Sequence, residues 1–172
     1  PAHRADIGPL ERVCDLAAAY AGERGLTLHR LAQDADHPFP FLIVSFSEND
    51  ITGTGFNEAL ALIGHLDVVP AKDAGQFRPF LRGDDLHARG AAAMKTMVAG
   101  WLVWMGRLQQ RPGPNPPLLL LLSCCEENGS HRPHHARSAV EWLQREHGVS
   151  IRFGLVGERT GELEWMEEPL PV

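Results

Sequence analysis

Five consecutive leucines, Leu118–Leu122, restrict the fold more than any other feature of the chain. The run is far too short to cross a bilayer, which takes about 20 apolar residues. It follows the turn-forming stretch Arg-Pro-Gly-Pro-Asn-Pro-Pro at 111–117 and leads into Ser-Cys-Cys-Glu-Glu at 123–127. A short, unbroken apolar run bounded this way reads as a strand buried on both faces, the condition of strands in a sheet covered by helices.

The neighbouring segments supply the helices and further strands. From Pro9 to Arg24, Leu10, Val13, Leu16, Ala17 and Tyr20 recur at helical intervals, with proline suited to the first turn and Gly25 to the stop. Leu26–Leu31, Phe41–Phe46 and Ala59–Ile63 are short apolar runs bounded by polar, Gly or Pro residues and predict strands. Residues 34–40 and 47–57 read as turns or loops. Ala91 to Leu108 predicts one helix whose Met/Trp stripe (Met94, Met97, Val98, Trp101, Leu102, Met105) packs into a core. Ala136 to His147, stopped at Gly148, predicts another helix, and Ile151–Gly157 a last strand. Strands alternating with helices give an α/β fold, with a central, largely parallel (mixed) sheet between helical layers in a three-layer sandwich.

Charge and composition exclude other classes. The chain of 172 residues has sixteen basic and twenty-two acidic residues and a net charge of −6, with no Lys/Arg-rich run, so a nucleic-acid partner is not expected. Without an apolar segment of spanning length, no membrane partner is expected either. No apolar region of signal-peptide type follows the N-terminus. Cys14, Cys124 and Cys125 are odd in number, with two adjacent, which is no disulfide framework; a reducing, cytoplasmic setting follows. No Gly-rich phosphate loop follows any predicted strand, which disfavours a nucleotide-binding domain.

Three predicted strands end in residues able to bind a metal. Ala59–Ile63 runs into Gly64-His65-Leu66-Asp67, Leu118–Leu122 into Glu126-Glu127, and Phe153–Val156 into Gly157-Glu158. In open α/β sheets ligands gather beyond the carboxyl ends of the strands, so parallel neighbours here would bring one imidazole and several carboxylates to one crevice. Imidazole and carboxylate are ordinary zinc ligands. Asp67 is close enough in sequence to fix the His65 tautomer, and one glutamate of the pair could bind metal while the other handles a proton.

These residues resemble the M20 metallopeptidases, a family that includes acetylornithine deacetylase, succinyl-diaminopimelate desuccinylase, aminoacylase and glutamate carboxypeptidase. Gly64-His65-Leu66-Asp67-Val68-Val69-Pro70 is similar to the family's first motif. Arg78-Pro79-Phe80 with Leu86 to Lys95 resembles the second, Glu126 to Ser130 the third, and Val156-Gly157-Glu158 the fourth. The resemblance implies a zinc-peptidase-like fold and zinc (cobalt or manganese being the alternatives), held at one position by His65 and Glu158 and at the other by Glu127. It implies Glu126 as general base and Asp67 as the residue that orients His65. The substrate class it implies is an N-acyl amino acid or small peptide.

Departures from the pattern bear on this. Ala93 stands where the family has the aspartate that bridges both metals, Cys125 where an acidic residue is usual, and Arg159 where proline is usual. The family's last zinc-binding histidine and its dimerisation domain lie beyond residue 172. The expectation is therefore a single, incomplete catalytic domain over 1–172, with one metal or none bound and impaired activity, the full-length form being a possible homodimer. The alternative is an inactive pseudoenzyme or truncated scaffold of the same fold. His131, His134 and His135 lack the paired Cys-x-x-Cys spacing of structural zinc and read as exposed loop histidines. Lys95 and Arg89 are expected to make structural ion pairs.

Overall fold

A computed structural model describes residues 7–31, 39–52, 56–127 and 136–158. Helix α1 (Gly8–Gly22) opens with Pro9 in its first turn, where the missing N–H costs nothing. Strands β1 (Thr27–Arg30) and β2 (Leu42–Ser45) follow, then a one-turn helix α2 (Glu48–Ile51) inside the segment expected to be loop. Its start is fixed by a capping box between Ser47 and Asp50. Strand β3 (Glu58–His65) is longer than the apolar run that predicted it and carries His65 as its last residue.

After a 3-10 turn (Ala74–Phe77), strands β4 (Phe80–Arg82) and β5 (Asp85–His87) form a small antiparallel hairpin apart from the main sheet. Helix α3 (Thr96–Gln109), β6 (Leu118–Ser123), α4 (Ala136–His147) and β7 (Ser150–Val156) complete the order.

The helix expected over 91–108 is corrected at its start. Residues 91–95 form a π-like turn, broken by Ala93 (φ −78°, ψ 75°) and by Met94 in the left-handed region (φ 48°), and the regular helix begins at Thr96. The good helix formers Ala91–Met94 are overridden there by packing: Met94 turns into the core with 3% exposure, beneath the end of β3.

The five-stranded sheet runs in the order β1-β2-β6-β3-β7. β6, β3 and β7 are parallel neighbours, while β1 and β2 run antiparallel on one side, which makes the sheet mixed. The leucine run sits second to no strand in burial, all of its residues being buried, and its alternation divides the two cores. Leu118, Leu120 and Leu122 pack with α1 and α3, against Val98, Trp101 and Met105. Leu119 and Leu121 pack on the other face with Ala139 and Leu143 of α4. The three-layer α/β sandwich read from the sequence is the fold observed.

One edge of the sheet departs from this burial. β7 lies at the sheet edge with Phe153, Leu155 and Val156 exposed at 65%, 49% and 59%. Among the described residues no helix is long and apolar enough to cross a membrane.

Candidate metal centre

The three parallel strands end at one edge of the sheet, and backbone hydrogen bonds continue past their last residues. The Leu66 N–H donates to the Ser123 carbonyl at 2.8 Å, and the Gly157 N–H donates to the Ile63 carbonyl at 3.2 Å. These main-chain bonds hold the ends of β3, β6 and β7, and with them His65 and Glu158, close to one another. Two glycines allow this closeness. A Cβ on Gly64 would lie 2.7 Å from Val98 Cγ2, and one on Gly157 would strike the Trp101 ring and lie 2.7 Å from Met97 Cγ.

Asp67 is the hub. It is buried and accepts from His65 Nδ1 at 3.1 Å, from the Glu126 N–H at 3.2 Å and from the Glu127 N–H at 2.8 Å. One carboxylate thus orients the imidazole and pins the turn that carries both glutamates. Burial works against its charge, yet these hydrogen bonds outweigh it and hold Asp67 below the ordinary aspartate range.

With Nδ1 held by Asp67, His65 presents Nε2 to Glu158, whose Oε2 is 3.3 Å away. Burial opposes a charged imidazole here, but Asp67 and Glu158 prevail over it and hold His65 above its ordinary value. Lys95 Nζ also lies 3.2 Å from His65 Nδ1. An Nδ1–H given to Asp67 leaves no lone pair for an ammonium, so the carboxylate contact is the one that orients the ring. Burial, partly offset by Asp67, Glu127 and Glu158, pulls Lys95 below the usual lysine range. The ion pairing expected of Lys95 is thus a place among these carboxylates, with its ammonium against the His65 ring.

His65, Glu126 and Glu158 line one cavity of about 360 Å³, together with Ser123 and Met94. Glu127 lies instead in an adjoining cleft of about 440 Å³, together with Ala93. The nitrogen of His65 and the oxygen of Glu158 form a donor pair fit for one cation. Ala93, whose methyl cannot bind a metal, lines the same cleft as Glu127. Among the described residues no three or more His, Cys, Asp or Glu side chains are grouped to hold a metal.

Cys125, pushed up to about 12 by burial and by the charges of Asp67 and Glu126, is a neutral thiol and brings no anionic ligand to the site. Cys14 and Cys124 lie with their sulfurs 3.5 Å apart as free thiols. Ser130, His131, His134, His135 and Arg159 fall outside the described residues.

Sequence reasoning missed the wall of the adjoining cleft. Arg89 donates through Nη2 to Gln76 Oε1 at 2.6 Å and through its backbone N–H to the Gln76 carbonyl at 2.8 Å, instead of joining the acidic cluster. The signal was faint: the second motif carries both Arg78 and Arg89, but their meeting depends on the β4–β5 hairpin.

Comparison with known proteins identifies the family and the fold. The profile of "Peptidase family M20/M25/M40" matches residues 61–167. Succinyl-diaminopimelate desuccinylase of Delftia acidovorans is 35% identical over 124 residues, covering 65% of this chain and 31% of that protein. The protein of the same name from Rhodospirillum centenum is 32% identical over 162 residues, covering 91% of this chain and 39% of that protein. The chain therefore spans well under half the length of these relatives. Among solved structures, human carnosine dipeptidase 1 superposes with a TM-score of 0.63 over 87% of this chain and 33% of that one; at 19% identity this likeness speaks for the fold.

Proposed function

The chain belongs to peptidase family M20/M25/M40, and from that premise we propose that it carries the metal-binding half of an amidohydrolase acting on an N-acyl amino acid or small peptide. The observation that carries this reading is the relay in which Asp67 holds His65 Nδ1 at 3.1 Å while Nε2 faces Glu158 at 3.3 Å. His65 and Glu158 would hold a first zinc, cobalt or manganese being the alternatives, and Glu127 the second. Zinc bound there would polarise the amide carbonyl and acidify a water.

The protein's own groups do the rest. Asp67 fixes the tautomer that leaves Nε2 as donor. Glu126 shares the cavity of His65 and Glu158 and serves as base toward the attacking water, then as acid toward the departing amine. The Glu126 and Glu127 backbones are tied to Asp67, so one residue sets the ligand and the base together.

A second reading, a scaffold that keeps the fold without the chemistry, is favoured by Ala93. With alanine there, the first position keeps two of the side-chain ligands named and the second keeps one, against about three for a catalytic zinc. The free thiols of Cys14, Cys124 and Cys125 support a reducing, cytoplasmic location.

Zinc titration of the purified chain after metal-free dialysis separates the readings. Saturable uptake near one equivalent, lost in His65→Ala and in Glu158→Ala, is expected for the hydrolase site. Uptake no greater than background in the parent chain would leave the scaffold reading. Ala93→Asp should raise zinc affinity; an unchanged titration in that variant would count against the metal centre itself.

A further inference from the structure

Cys14 and Cys124 form a reactive pair that the metal-centre chemistry leaves unused. Their sulfurs lie 3.5 Å apart although 110 positions separate them in the chain, and both are buried in the layer between the sheet and helices α1 and α3. Two thiols at that distance are within about 1.5 Å of the bond length of a disulfide. The two sides of the contact differ. Cys14, midway along α1, is held below the ordinary cysteine value, first by the Cys124 hydrogen bond and then by the Arg30 guanidinium. These prevail over burial and over Glu11 and Asp15, the carboxylates that pair with Arg30. Cys124 is pushed up by the same contact and by burial, so Cys14 is the thiol that more readily becomes an anionic nucleophile. Cys124 directly follows the last residue of β6, two residues ahead of Glu126, whose N–H is held by Asp67. A covalent pull on its sulfur therefore acts on the turn that carries Glu126 and Glu127.

We propose that Cys14 and Cys124 form a reversible disulfide, a redox clamp that ties α1 to this turn. The oxidant is a small peroxide. The Cys14 thiolate attacks a peroxide oxygen and becomes a sulfenic acid as the O–O bond breaks; the hydroxide released takes up the Cys14 proton as water. Cys124 then displaces the sulfenic hydroxyl, which leaves with the Cys124 proton as a second water. Two thiols and one peroxide thus become one disulfide and two waters, and a dithiol reductant restores the thiols. In a reducing compartment the open pair is the resting form, and the clamp closes under oxidative load. The bond needs no metal; its bearing on catalysis rests on the hydrolase reading of Glu126 and Glu127.

The test treats the whole folded chain, metal-free, with hydrogen peroxide, then alkylates it under denaturing conditions for mass spectrometry. The expected product has two hydrogens fewer than the parent and one cross-linked peptide pair, Cys14 with Cys124, which dithiothreitol separates. Cys125→Ser should still close, and Cys14→Ala should not. Closing so long a loop should raise the melting temperature by about 10 °C. The amide NMR signals of Glu126 and Glu127 should shift on oxidation, while those of α4, on the other face of the sheet, keep their positions. A folded chain in which Cys14 and Cys124 stay alkylatable, are oxidised singly or pair with Cys125 instead overturns the clamp. A bridge that leaves the Glu126 and Glu127 signals in place overturns its action on the turn. Zinc titration of the reduced chain keeps the two readings apart. Closure without zinc uptake removes the metal centre and leaves the clamp, and zinc uptake without closure removes the clamp alone.

Discussion

Asp67 concentrates three hydrogen bonds on one buried carboxylate, so its replacement is felt in several places at once. Asp67→Asn removes the charge and turns one oxygen into a donor facing other donors. The expected result is a loss of about 2 kcal/mol in urea denaturation, typical for hydrogen bonds to a buried charge, and zinc affinity lower by about tenfold to a hundredfold. The pair also makes the metal-free chain sensitive to pH. His65 is held above its ordinary value, so its contribution is full below about pH 6.5, the unfolded value, and is lost as pH rises through the folded one. Asp67 is held below its ordinary value, so its contribution is present above about pH 4 and is lost as pH falls through the folded one. Thermal melts in chelator should therefore show the stability gap between parent and His65→Gln narrowing from about pH 6 to about pH 8; a gap that widens would contradict the charged pair. His65, Asp67, Glu126, Glu127 and Glu158 could be singled out in the sequence because each closely follows or ends an apolar run, and strand ends collect ligands. The Lys95 contact with His65 could not, because it depends on a backbone break at Ala93–Met94 that helix propensity argues against.

At the scale of elements, the site depends on how closely α3 lies beneath β3 and β7. Gly64→Ala puts a methyl 2.7 Å from Val98 Cγ2 and should cost about 1–3 kcal/mol, as overpacking does. Adding Val98→Ala should recover part of that loss, and a double-mutant cycle in urea measures the coupling. Gly157→Ala meets the Trp101 ring, which cannot yield as a flexible chain end does, so the strand end carrying Glu158 should move. The expected outcome is weaker zinc uptake with the fold retained by circular dichroism. The strands and α4 were legible because burial imposes periodicity on sequence. The β4–β5 hairpin was not, since all its residues are exposed and no apolar pattern marks them. The cleft wall it supports was hidden for the same reason.

For the molecule as a whole, the five leucines state the architecture most directly: a run that must be dry on both faces requires a layer on each side, and two separate cores meet across it. β7 is the exception, a strand packed on β3 along one edge and, among the described residues, unpaired along the other. Arg152, paired with Glu58, is the charged residue within it, and the remaining outward positions are apolar. Such a ladder is a template for growth, since each strand added leaves a new bare edge behind it. The working limit on this chain in solution is thus expected to be colloidal rather than thermodynamic: light scattering should rise with concentration well below the melting temperature, and a lysine in place of Phe153 should suppress it without altering the melt.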